Sequence, residues 1–514
     1  MLRPPQYAAR RRWGGDVQGG RGGGAARSRH PARPLLDRDG GRLSETIVGE
    51  RLTLAEPFDL KGKRVVILGL ARQGTALARF LVREGAEVVV SDLKDEAALA
   101  EPMAALEGLP IRYVLGDHPL RLLDGTDLLC LSGGVPTDAP IVVEAQRRGI
   151  PLSNDAQLFL ERCPAPVIGI TGSAGKTTTT ALVGEMCKAA GFTTWVGGNI
   201  GNPLIADLDR IRPTDKVVME LSSFQLEIMT LSPHIAAVLN ITPNHLDRHK
   251  TMENYIAAKR NIVAHQGPED YAVLGFDDAR ARALALETRA HVLFFSGGAE
   301  VDEGAYKTNG ELVLRLGGAD ALICHADEVR LRGAHNLLNI LAASALAGLA
   351  GVPVEAMGKV ARTFSGVEHR LEEVREWRGV RWYDDSIATA PERVVAALRS
   401  FDEPIVLLAG GRDKNLPWDE FAREVVRRVR YLITFGEAGG MIARVVEEAM
   451  RREGEGELEG IAQVERLEEA VETAAGVARP GDVVLLSPGG TSFDAFRDFA
   501  ERGDRFKELV RALE

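Results

Sequence analysis

Apolar runs that end in a glycine turn and lead into a helical segment recur along this chain, at VVILGL (65–70), CLSGG (130–134), VIGITGSAGK (167–176), IVLLAGG (405–411), YLITFG (431–436) and VVLLSPGG (483–490). A strand handing over to a helix in this way is the building unit of α/β folds. With 514 residues the chain has room for about two to four domains, each with its own core. Its 45% apolar and 26% charged residues describe a globular, helix-rich protein, and its formal charge of -10 excludes a general nucleic-acid binder.

Four cysteines, Cys130, Cys163, Cys187 and Cys324, lie far apart with no C-x-x-C pair, as expected of ordinary thiols in a reducing cytoplasm. The most apolar stretch, residues 337–354, carries Asn339 and Ser344 and ends at Pro353, so it reads as a buried helix rather than a membrane span. Residues 1–58 differ in kind. The first forty or so of them are rich in Arg, Gly and Pro and cannot offset their own ordering entropy. They are expected to form a disordered tail or to reflect a start codon called too far upstream, for instance ahead of a true start at Val48. A transit peptide fits less well, because amphipathic periodicity and serines are sparse.

Residues 61–92 read as a β-α-β unit with Gly69 and Gly74 at the outer positions of a G-x-G-x-x-G turn, but Ala71 replaces the middle glycine. Asp92 stands where an acid meets a ribose in dinucleotide sites. The missing glycine argues against such a site and for a tight strand-to-helix turn. A glycine pair at 133–134 ends the next strand, which places a nucleotide-sized ligand over the strand ends.

The loop after Val167–Ile170 is shorter than G-x-x-x-x-G-K-[ST], yet its context of strand, loop and helix suits a phosphate cradle. Gly172 and Gly175 free the backbone N–H groups, Lys176 offers a charge to phosphates, and Thr177 reaches a metal. Thr177–Thr180 are poor helix formers, which a purely structural helix start would not favour. Glu220 ends an apolar run at Val217–Met219, where nucleotide-binding sheets keep a metal-binding acid. Another run ends at Asn240 and presents His245 and Asp247 in a loop, so metal ligation at this edge is expected. Lys259, between Ala258 and Arg260, reads by itself as a surface lysine.

TGSAGKTTT, GGNIG (197–201), ELSSFQLE, NHLDRH (244–249), HNLLN (335–339), EHR (368–370), DDSIAT (384–389), GGRDK (410–414) and SPGGTSFDAF (487–496) occur in this order. Together they resemble the Mur ligases, from about residue 59 to the C-terminus, and the shortened phosphate loop is that family's own form.

The resemblance implies three α/β domains: a Rossmann-like UDP-binding domain (59–154), a central P-loop ATPase-type domain (155–365) and a C-terminal Rossmann-like domain (366–514). It implies an ATP-dependent ligase that activates the alanyl carboxylate of UDP-N-acetylmuramoyl-L-alanine as an acyl phosphate and adds D-glutamate. Gly172, Ser173, Ala174, Gly175, Lys176, Thr177, Thr178, Asn336, Asn339, Arg370 and Asp385 would meet ATP. Thr177, Glu220, His245 and a carbamylated Lys259 would hold Mg²⁺, with Lys176, His245 and Lys259 catalytic. Gln73, Asp92, Gly134 and Asn199 would line the UDP-substrate path. Thr389, Lys414, Ser492 and the backbone at Phe499 would grip glutamate. A cytoplasmic monomer without membrane insertion is implied.

Two positions depart from the family's Asp-Ser-Lys-Ala-Thr-Asn pattern: Ile387 and Ala390 remove a cation and an amide near the acceptor, which keeps L-glutamate open as the alternative. Asn244 stands before His245 where the family often has an acid. Folylpolyglutamate synthase lacks the first domain, and the D-N-P-R segment of the diaminopimelate- or lysine-adding ligases is missing here. A non-catalytic nucleotide-binding module would not need Lys176, Glu220, His245 and Lys259 together.

Overall fold

A computed structural model describes residues 57–514, except Asn415, Glu455 and the side chains of Asp247 and Glu453. The tail expected at 1–58 therefore lies outside the described residues but for its last two positions, and so does Val48. The architecture is α/β, built on three sheets.

The first sheet holds β1 (Arg64–Leu68), β2 (Glu87–Asp92), β3 (Ile111–Leu115), β4 (Leu128–Leu131) and β5 (Leu152–Ser153), all parallel in the order β3-β2-β1-β4-β5. The order reverses between β1 and β4, so the carboxyl ends of these two strands frame a crevice at Gly69 and Gly133. Gly69 has φ +90°, and a Cβ at Gly74 would collide with the Gly69 carbonyl. These glycines permit a close helix-to-strand approach, which bears out the tight-turn reading.

The second sheet carries β6 (Val167–Thr171), β7 (Thr194–Gly198), β8 (Lys216–Glu220), β9 (Ile235–Val238), β10 (Tyr271–Gly275), β11 (His291–Ser296), β12 (Gly304–Thr308), β13 (Glu311–Leu316) and β14 (Ala319–His325). Their order is β14-β13-β12-β11-β10-β9-β6-β8-β7, antiparallel only at β12-β13 and β13-β14. β6 lies between β8 and β9, so the phosphate loop, Glu220 and the segment after Val238 emerge side by side.

The third sheet holds β15 (Glu372–Trp377), β16 (Val380–Asp384), β17 (Ile405–Gly410), β18 (Val429–Phe435), β19 (Gly460–Gln463) and β20 (Val483–Gly489), in the order β15-β16-β20-β17-β18-β19. Only β15 runs antiparallel to its neighbour.

The apolar run at 337–354 forms a buried helix, Ala334–Leu349, against the phosphate-loop helix Lys176–Ala189. Asn154 caps the helix Asp155–Arg162, whose Leu158 and Phe159 join one apolar core running from β1 to β8. Pro391 opens the helix Pro391–Leu398, where its missing N–H costs no hydrogen bond. Among the described residues no helix is long and apolar enough to cross a membrane.

Candidate phosphate and ligase site

The phosphate loop is fixed from the β9 side. Ser173 N–H donates to the Asn240 carbonyl at 3.0 Å, and Ala174 exchanges two hydrogen bonds with the Asn240 amide. The Ser173 hydroxyl meets the Thr242 carbonyl and the Tyr255 hydroxyl, both at 2.9 Å. With the Ser173 and Ala174 N–H groups so engaged, the donors left for an anion are those of the first helical turn, from Gly175 through Thr178. Gly175, at φ +83°, makes that turn, and a Cβ there would collide with Asn339 Oδ1.

Thr177 donates to one oxygen of Glu220 and Asn199 to the other, each at 2.8 Å. Glu220 is 1% exposed, so this carboxylate is positioned but cut off from solvent. Asn199, expected on the UDP-substrate path, is thus also a partner of the candidate metal ligand. Its carbonyl takes a hydrogen bond from Arg72 of the first domain at 3.1 Å, so it bridges two domains.

Lys259 overturns its surface reading. It is 1% exposed, and its ammonium donates to the Gly172 carbonyl at 2.9 Å and approaches Thr171 Oγ1 at 3.3 Å. Lys176 reaches the same carbonyl at 3.0 Å. Burial, and then the neighbouring Lys176 charge, hold Lys259 well below the usual lysine range, against the pull of Glu220. Burial lowers Lys176 too, with Glu220 opposing. His245 sits at φ 54° with its ring edge-on to Phe224 at 5.1 Å.

The third domain delivers Arg370 to this cluster. It is flanked by two left-handed residues, His369 (φ 61°) and Leu371 (φ 44°), and its Nε is buried without a protein partner. Burial and the Arg393 charge lower its affinity for a proton, while Asp385 and Glu220 raise it. Asp385 accepts from Ser487 at 2.7 Å, and burial pushes it up to about 7. Asn336 and Asn339 are buried and bonded to each other at 3.0 Å, with Asn339 also near Thr179 Oγ1 at 3.4 Å.

The remaining expected residues fall in two groups. Gln73 lies beside Gly133 in the β1/β4 crevice, and the Gly134 carbonyl accepts from Arg248 at 3.0 Å. Asp92 closes the Gly69–Leu70 turn by accepting from the Leu70 N–H at 2.7 Å and the Lys94 N–H at 2.9 Å, so both its oxygens already serve local backbone. In the third domain Lys414 donates to the Thr389 hydroxyl at 3.2 Å. Ser492 is buried, and the Phe499 carbonyl accepts from the Ser386 hydroxyl at 2.7 Å.

Sequence reasoning missed Arg72, Arg248, Asn240 and Arg502. Arg502 is fully buried and bonds Ser386 and the Gly490 carbonyl, tying the DDSIAT and SPGG segments together. Only Asn240, at the end of an apolar run, carried a local signal.

Comparison with known proteins identifies the family. Three family models match in order: the Mur ligase MurD-like N-terminal domain at 63–154, the Mur ligase middle domain at 170–347, and the Mur ligase glutamate ligase domain at 369–490. A UDP-N-acetylmuramoylalanine–D-glutamate ligase of Symbiobacterium thermophilum is 46% identical over 453 residues, covering 88% of this chain and 98% of that protein. The one of Acetivibrio thermocellus is 42% identical over 455 residues, covering 88% and 97%. Among solved structures, MurF from Acinetobacter baumannii shares the fold at a TM-score of 0.54 and 19% identity, covering 87% of this chain and 94% of that one. UDP-N-acetylmuramate-alanine ligase MurC from Thermotoga maritima does so at 0.53 and 20%, covering 87% and 99%. The chain belongs to the Mur ligase family, on the branch of the UDP-N-acetylmuramoylalanine–D-glutamate ligases.

Proposed function

We propose that this chain uses ATP to join D-glutamate to the alanyl carboxylate of UDP-N-acetylmuramoyl-L-alanine. The observation that carries the reading is the buried Glu220 carboxylate held between Thr177 and Asn199 at the phosphate loop, where Lys176 and the buried Lys259 both reach the Gly172 carbonyl.

An alanyl carboxylate is a poor acyl donor, so one of its oxygens attacks the γ-phosphorus of ATP and the bond to ADP breaks. The glutamate amine then attacks the acyl carbon, the bond to phosphate breaks, and an amine proton is released. The protein contributes position and charge. In this reading the first helical turn and Lys176 hold the phosphates, while Asn336, Asn339, Arg370 and Asp385 enclose the nucleotide. Gln73 and Gly134 line the UDP-substrate crevice, with Asp92 shaping its turn. Thr389, Lys414, Ser492 and the Phe499 backbone receive glutamate.

The donor set suits Mg²⁺: a buried carboxylate, Glu220, beside the Thr177 hydroxyl at a phosphate site. Bound there with His245 and Lys259 completing the set, the ion would neutralise charge on the transferring phosphoryl oxygens. Burial lowers the Lys259 pKa and so favours its neutral amine, the form that is nucleophilic toward CO₂. Its lone pair attacks the carbon and a proton leaves, placing a carbamate anion beside Lys176. A cytoplasmic setting belongs to the same reading, because ATP and the UDP-substrate are soluble.

The test is phosphate release with ATP, Mg²⁺ and UDP-N-acetylmuramoyl-L-alanine, comparing D-glutamate, L-glutamate and no amino acid. Stimulation by D-glutamate alone is expected. Preference for L-glutamate would move the acceptor assignment and implicate Ile387 and Ala390, and no stimulation by either would overturn the substrate reading.

A further inference from the structure

The loop between β16 and the helix Pro391–Leu398 carries no cation of its own, because Ile387 and Ala390 are uncharged. A cation nevertheless reaches it from the first turn of that helix: Arg393 Nη1 donates to the Ile387 carbonyl at 3.3 Å. Two residues further along the same loop, Thr389 accepts from Lys414. Arg393 is exposed, and among the described residues no carboxylate forms an ion pair with it. Its charge disfavours protonation of Lys414, Arg370 and Lys176 alike. Arg393 thus stands beside the loop whose Thr389 pairs with Lys414. Glu220 and Asp385 offset the charges of Lys176 and Arg370, whereas the exposed Arg393 guanidinium keeps its capacity to grip a carboxylate with two parallel hydrogen bonds.

Resting on the ligase reading above, we propose that Arg393 is a substrate-binding residue for the acceptor amino acid, pairing with a glutamate carboxylate beside Thr389 and Lys414.

The purified full-length chain, assayed by phosphate release under saturating UDP-substrate, tests this with Arg393→Ala and Arg393→Lys. Loss of a charge-assisted pair is expected to raise the KM for D-glutamate roughly tenfold to a hundredfold in the alanine variant, with the KM for ATP within about twofold. The lysine variant recovers part of that loss, as charge is kept and the fork geometry is not. Matching melting curves for the three proteins show that the alanine variant is folded, as an exposed side chain predicts. An unchanged KM for D-glutamate overturns the proposal, and a rise confined to the KM for ATP overturns it by assigning the guanidinium to phosphate instead. An inactive wild-type chain would defeat the ligase reading itself, so the two failures are distinct.

Discussion

Replacing Gly175 with alanine separates backbone strain from damage to the nucleotide site, provided that Gly191→Ala is made in parallel. Both glycines adopt left-handed φ, +83° and +88°, at opposite ends of the helix Lys176–Ala189. A non-glycine residue in that region costs about 1–2 kcal/mol. At Gly191 the new Cβ meets nothing within 4 Å, so strain is the whole cost. At Gly175 it collides with Asn339 Oδ1, and this buried amide must move away from Asn336 and Thr179. Leaving a buried polar group without its partner adds about 1–3 kcal/mol. For a domain of roughly 150–250 residues each kcal/mol shifts Tm by about 2–4 °C, so Gly175→Ala should melt about 2–12 °C below Gly191→Ala. Thermal unfolding followed by circular dichroism reads this difference, and steady-state kinetics should show a raised KM for ATP in Gly175→Ala only. Equal melting temperatures and equal KM values in the two variants would refute the coupling of the loop to Asn339.

Lys259→Met removes a buried ammonium next to Lys176 while keeping most of the side-chain volume, so activity should fall at least a hundredfold, about 2.7 kcal/mol, without loss of Tm. Because the folded chain holds Lys259 with a lowered pKa, the unfolded chain binds more protons up to the usual lysine range. Wild-type stability therefore rises with pH through that window, and denaturant titrations should show a shallower rise for Lys259→Met. Asp385 has the opposite sign: raised to about 7, it contributes stability below its unfolded value near 3.8 that is lost as pH rises toward 7. Asp385→Asn should flatten the stability curve between those two pH values, and an unaltered curve would count against its burial as a carboxyl group. Asn199→Ala should raise the Mg²⁺ concentration needed for half-maximal activity, because Glu220 loses a 2.8 Å donor. A raised KM for the UDP-substrate with no change in Mg²⁺ requirement would return Asn199 to the substrate path.

The strands and the loops that follow them were legible in sequence because their signals are local. An apolar run closed by glycine predicts a strand end whatever surrounds it, and β1, β6, β17 and β20 fall at those runs. The pair of Thr177 with Glu220 follows from the same rule, since both lie at the carboxyl ends of neighbouring strands, β6 and β8. The exit from β9 was placed two residues late, because Leu239 continues the apolar run and still donates its N–H to the Thr171 carbonyl at 3.0 Å, although the strand itself ends at Val238.

What sequence alone determined here is the α/β class, the phosphate loop and, through motifs in fixed order, the family. These depend on backbone geometry and short spacing, which neighbouring residues dictate. Tertiary structure alone decided that Lys259 is buried rather than exposed, that Asn199 answers to Glu220, and that the charges of Arg370 and Arg393 are felt at Lys176. Each of these joins segments tens to hundreds of residues apart, so the charge and solvent around the side chain are set by packing, and no local pattern encodes them.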